Sequence, residues 1–151
     1  LKYVLPNIVS NEQTCCVMGR DISENICGIR DIIDMAEREE IEGYILKLDQ
    51  EKAFDRISHQ YLFKNSVRQG CPISALLFVL AAEPLNLYSK QSQAIKGIQI
   101  PYSDRTSLIY QHADDTTLTL ADKNSITKTF DVFELYGKAS GAKINKNKSE
   151  L

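Results

Sequence analysis

Between Leu108 and Leu120 the chain has little conformational choice. Leu108–His112 and Thr116–Leu120 are both strand-like, the second alternating Thr-Leu-Thr-Leu, and they meet at Ala113-Asp114-Asp115, a natural hairpin turn. Tyr44–Asp49 is short, apolar and preceded by Gly43, which reads as a buried strand; Ile98–Ile100 reads as a shorter one. Helices fall around these strands. Asp21-Ile22-Ser23-Glu24 reads as a capping box, and Ile22, Ile26, Ile29, Ile33 and Ala36 recur at helical spacing before Gly43. A second helix is expected soon after Phe54, from Ile57, Tyr61 and Leu62. Residues 64–73 read as a loop. A third helix follows, capped by Ser74, apolar through Leu76, Leu77, Leu80 and Ala81, and kinked or ended by Pro84. Ile126, Phe130 and Phe133 mark a last helix before Gly141. Strands and helices interleave without regular βαβ alternation, so the expected fold class is α+β.

At 151 residues, 43% of them apolar, the chain suits one domain and excludes a disordered tail. Leu1 in place of Met suggests a piece of something longer. The longest apolar run, Ala75–Ala82, falls well short of the roughly 20 residues that span a membrane. No signal-peptide pattern opens the sequence, so a secreted protein is not expected. The formal net charge of −2 does not announce a nucleic-acid binder, but its distribution is uneven. Residues 31–55 are strongly acidic, whereas residues 138–149 carry Lys138, Lys143, Lys146 and Lys148 without an acid. Cys15, Cys16, Cys27 and Cys71 form no C-x-x-C pair. Adjacent Cys15 and Cys16 suit a disulfide poorly, so free thiols in the cytoplasm or nucleus are the better reading.

Three constellations could carry chemistry. Asp49 ends a strand and Asp114-Asp115 occupy a hairpin tip; if the strands are neighbours, three carboxylates converge at a sheet edge. Close carboxylates repel unless a cation lies between them, and hard oxygen ligands on an open site suit Mg²⁺. Asp is also common at strand ends and turns for local hydrogen-bonding reasons. Arg68-Gln69-Gly70-Cys71-Pro72 could bring backbone close to a flat or phosphorylated ligand, or be an ordinary loop. Lys143 and Lys148 could meet phosphate oxygens or simply be solvated.

Taken in order, "LDQEKAFDRISHQYL", "VRQGCPIS", "HADDTTL" and "SGAKINKNKSE" resemble motifs A, B, C and D of reverse transcriptases, in the style of LINE-type (non-long-terminal-repeat) retrotransposons. "LPNIVSNEQTCCVMGRDISENI" looks like the fingers-side stretch preceding motif A in those elements. The resemblance implies a partial reverse transcriptase domain over residues 1–151, with a fingers-side segment at 1–43 and an antiparallel palm sheet backed by helices at 44–151. It implies RNA-directed DNA synthesis from an RNA template, a DNA primer and deoxynucleoside triphosphates, with two Mg²⁺ ions (Mn²⁺ as a substitute). Asp49, Asp114 and Asp115 would be the catalytic metal ligands. Phe54 would be the aromatic gate against a 2′-hydroxyl. Arg68, Gln69 and Gly70 would position the incoming nucleotide and template, and Lys148 would stand near the leaving pyrophosphate.

Two departures from the family pattern stand out. Only twelve residues separate Asp55 from Arg68, where the family places several dozen, which suggests a deletion joint near residues 64–67. His112 stands where the family carries Tyr or Phe against the primer terminus. With the joint in place, the alternative expectation is a catalytically dead retroelement remnant.

Overall fold

The computed structural model describes residues 3–51, 72–145 and 147–151. The expected helix after Phe54, the joint at 64–67, and Phe54, Arg68, Gln69 and Gly70 lie outside the described residues. In chain order the elements are α1 (Leu5–Ile8), α2 (Ile22–Arg38), β1 (Tyr44–Leu48), α3 (Pro72–Gln91), β2 (Ile98–Gln99), β3 (Thr106–Ser107), β4 (Ile109–His112), β5 (Asp115–Leu120) and α4 (Lys123–Ser140). This is the expected mixture of helices and antiparallel sheet.

The central sheet has the order β1-β5-β4, antiparallel throughout. Tyr44 pairs with Leu120 and Leu48 with Thr116, while Ile109 pairs with Leu118 and His112 with Asp115. Side chains alternate between faces along a strand, so this register sorts the residues by chemistry. Leu46, Leu48, Ile109, Leu118 and Leu120 share one face, where they join Leu85 of α3 and Phe133 and Tyr136 of α4 in the main core. Burying each such side chain contributes roughly 1.5–3 kcal/mol. Lys47, Thr117, Tyr110 and Asp115 belong to the other face and are less buried.

Neither outer edge of the sheet is bare. Along β4, Gln13 forms a parallel bridge to Gln111; Thr14 N donates to Gln111 O (3.0 Å), and Gln111 N donates to Glu12 O (2.9 Å). Along β1, Lys47 and Glu150 exchange backbone bonds of 2.8 and 3.0 Å, Asn145 N donates to Asp49 O (2.8 Å), and Glu51 N donates to Lys143 O (2.8 Å). These two straps occupy backbone groups that would otherwise template another chain.

Asp21 does cap α2, accepting from Ser23 N at 2.8 Å. The Ile22/Ile26/Ile33 stripe forms as a helical row, but all three side chains are exposed; Asn25 and Ile32 are the buried residues of α2. Gly28 explains the choice of face: a Cβ there would come within 2.9 Å of the Tyr110 ring, so the helix packs on β4 through its smallest residue. α3 already includes Pro72, two residues before Ser74; a proline in the first helical turn lacks only an N–H that has no intrahelical partner there. Nor does Pro84 end the helix, which runs on to Gln91; the ring sits on the exposed side, where water can serve the freed carbonyl. β3 and the single turn α1 carry no clear pattern in the sequence.

Candidate active site

The hairpin turn is tighter than expected. Asp115 already belongs to β5 and pairs with His112, leaving Ala113 and Asp114 as the two turn residues. Ala113 adopts φ 54°, a left-handed conformation that costs a non-glycine residue roughly 1–2 kcal/mol. Tertiary contacts hold it there. The buried Gln13 side chain accepts from both Ala113 N and Cys15 N at 3.0 Å through one oxygen, Oε1. Thr14 Oγ1 and His112 Nδ1 lie 3.0 Å apart, and Asn25 Nδ2 donates to Gln111 O at 2.8 Å. Arg20 stiffens the strap behind Gln13 by donating to the carbonyls of Pro6, Val9, Ser10 and Gln13. Ser10 in turn donates to the buried carboxylate of Glu83 in α3 through its backbone N–H and its hydroxyl.

Asp49 follows directly on β1. Continuing the β1/β5 register by one residue sets it opposite Asp115, on the polar face of the sheet. Asp114 is half-buried beside them. Burial pushes its carboxyl above the ordinary carboxylate value, and the charges of Asp115 and Asp49 push it the same way, against the opposing pull of its backbone hydrogen bond and His112. The three carboxylates are therefore electrostatic neighbours. They are gathered but not closed into a cage: among the described residues no three His, Cys, Asp or Glu side chains form a metal-holding group. Their oxygens are hard ligands of the type Mg²⁺ takes, one or two carboxylates at a time beside several waters.

Lys148 is exposed in the strap bonded to β1, one residue from Ser149, whose Oγ accepts from Asp49 N at 3.4 Å. Gln13 is the residue that sequence reading missed; nothing in its local pattern points to a partner 100 residues away. By its sequence pattern Cys15 is only a free thiol. It also faces this turn, and burial, then Cys16 and Asp114, push its thiol up to about 12. An apolar cleft between α4 and residues 141–151, lined by Leu46, Phe130, Phe133 and Leu151, opens on the helix side of the sheet, away from the carboxylates.

Residues 61–151 match the family described as reverse transcriptase (RNA-dependent DNA polymerase). The chain belongs to the reverse transcriptase family. The matched stretch contains Arg68, Gln69, Gly70, Asp114, Asp115 and Lys148, and begins after Asp49 and Phe54. Over 99% of its length the chain is also similar to the "Transposon TX1 uncharacterized 149 kDa protein" of Xenopus laevis, at 32% identity across 189 aligned residues. The chain spans about 14% of that relative. The alignment is longer than the 151-residue chain, so the relative carries residues with no counterpart here. That the relative is a transposon protein agrees with the retrotransposon character of the four motifs. No helix among the described residues is long and apolar enough to cross a membrane.

Proposed function

We propose that the chain is the palm, with part of the fingers, of a LINE-type reverse transcriptase, extending a DNA primer on an RNA template. The observation that carries this reading is the register that sets Asp49 opposite Asp115 at the hairpin bearing Asp114. Asp49, Asp114 and Asp115 would hold two Mg²⁺ ions (or Mn²⁺), which when bound would activate the primer 3′-hydroxyl and stabilise the leaving oxygen of the deoxynucleotide. The three side chains then serve as fixed anions on an otherwise polar sheet face. The Gln13 clamp keeps Asp114 from drifting while the nucleotide is oriented. Lys148 would supply a positive charge to the departing pyrophosphate. By family resemblance, Phe54 would exclude a 2′-hydroxyl, and Arg68, Gln69 and Gly70 would seat the base pair. Residence in the nucleus or cytoplasm is part of the same proposal, since template RNA and reduced thiols occur together there.

A remnant without activity is the second reading, favoured by the excess length of the relative's alignment. We place the missing residues at 64–67, between motifs A and B. Primer extension with an RNA template, a DNA primer, deoxynucleotides and Mg²⁺ separates the two. Extension that disappears in Asp114→Asn is expected for the polymerase. No extension at any Mg²⁺ or Mn²⁺ concentration, from a chain shown to be folded, establishes the remnant.

A further inference from the structure

We infer that Cys15 and Cys16 form a two-sulfur chelating site for a thiophilic metal or metalloid centre, seated against the Ala113–Asp114 turn. This goes beyond the polymerase reading and does not depend on it. In an extended chain, neighbouring side chains point to opposite sides. Here Cys16 adopts φ 57°, and the left-handed turn brings its Sγ to 3.5 Å from the Sγ of Cys15. Two sulfurs bonded at ~2.3 Å to one centre and 3.5 Å apart subtend an angle of about 100°, between pyramidal and tetrahedral geometry.

A disulfide is the poorer outcome for this pair. Adjacent Cα atoms lie about 3.8 Å apart, below the roughly 4.4–6.8 Å that an ordinary disulfide spans. Chelation leaves the backbone where it is. The turn is also prepared for it: Cys15 N is held by Gln13 Oε1, Thr14 N by Gln111 O, and Val17 is anchored in an apolar cluster with Leu5, Val9 and Val79. Cys16 is exposed and Cys15 partly so, which leaves both sulfurs within reach of solvent. Gln13 Oε1 accepts from both Cys15 N and Ala113 N, so a centre held here lies near the carboxylate hairpin.

Monosubstituted trivalent arsenicals probe such a site directly. One R–As(OH)₂ condenses with two thiols: two As–O bonds break, two As–S bonds form, and each thiol proton leaves with a hydroxide as water. No oxidant is consumed.

The test is titration of the reduced chain with phenylarsine oxide, followed by counting of the remaining free thiols and by amide NMR. One equivalent is expected to remove two of the four thiols. It should also shift the Ala113 and Asp114 amide resonances. Cys15→Ser or Cys16→Ser should weaken binding at least tenfold, while Cys27→Ser, on α2, leaves it unchanged. Cd²⁺ titration read by its sulfur charge-transfer absorbance should show the same dependence on variants. Cys16 is exposed, so its serine variant keeps the fold even if the Cys15 variant does not. Wild-type arsenical affinity in Cys16→Ser, or unmoved Ala113 and Asp114 amides at full loading, would overturn the inference.

Discussion

At the scale of single residues, the hairpin depends on contacts that sequence separation hides. Asp49, Asp114 and Asp115 are legible because acidic residues at a strand end and a turn form a pattern, and because the surrounding motifs put them in order. Gln13 has no such signal. Its Oε1 accepts two backbone N–H groups while the residue is 1% exposed, so removing it leaves Ala113 N and Cys15 N competing for less. Two buried donors without an acceptor cost roughly 1–3 kcal/mol each, of which relaxation and water recover part. Gln13→Met, which keeps the volume and removes the acceptor, is expected to lower unfolding stability by about 2–3 kcal/mol. Urea denaturation measures this. If the variant matches the wild type, Gln13 is not what holds Ala113 in its left-handed conformation.

At the scale of elements, capping and strand pattern are legible in the sequence, whereas the face on which a helix packs is not. Asp21 and the strands at Tyr44 and Thr116 follow from capping and alternation. The face on which α2 packs does not: the isoleucine row faces solvent because Gly28 permits a closer approach to Tyr110 than any isoleucine could. Pro84 misleads for a related reason, since its cost depends on whether water reaches the freed carbonyl. α4 gives the clearest local test. Asp122 caps it, accepting from Ser125 N at 2.7 Å and Ser125 Oγ at 2.9 Å, and these bonds, the backbone one first, hold its carboxyl below the ordinary value of 3.8. A carboxyl depressed in the folded state adds stability at pH above its unfolded value. That stability is lost as pH falls through the depressed value. Asp122→Asn keeps an acceptor and removes the charge, so the wild type should be the more stable near neutrality. The difference should shrink in acid, below the ordinary carboxylate range, when urea midpoints are compared across pH. A difference that stays constant across that range would remove the ionised cap from the account.

At the scale of the whole molecule, the sheet presents one apolar face to α3 and α4 and one polar face with the carboxylates at its end. Backbone bonds from Glu12 and Thr14 on one side, and from Lys143, Asn145 and Glu150 on the other, cover both edges. The register that sets Asp49 opposite Asp115 is carried by β1, β4 and β5. The consequence for activity is specific. On the proposed reading the hairpin would supply acidic ligands, while the groups that would orient the nucleotide would follow the junction proposed at 64–67, and misplacement by about 1 Å costs on the order of 100-fold in rate. Inserting the relative's additional residues at 64–67 should therefore raise primer extension by at least roughly tenfold, equivalent to about 1.4 kcal/mol of transition-state stabilisation. The circular dichroism of the sheet and helices already present should persist in the longer chain. The comparison requires three proteins: this chain, the chain with the insertion, and the insertion with Asp114→Asn. Gain in the second and loss in the third locates the defect at the junction. A folded second protein no more active than the first moves the defect elsewhere, with His112, at the position where the family carries Tyr or Phe, the next residue to replace by Tyr.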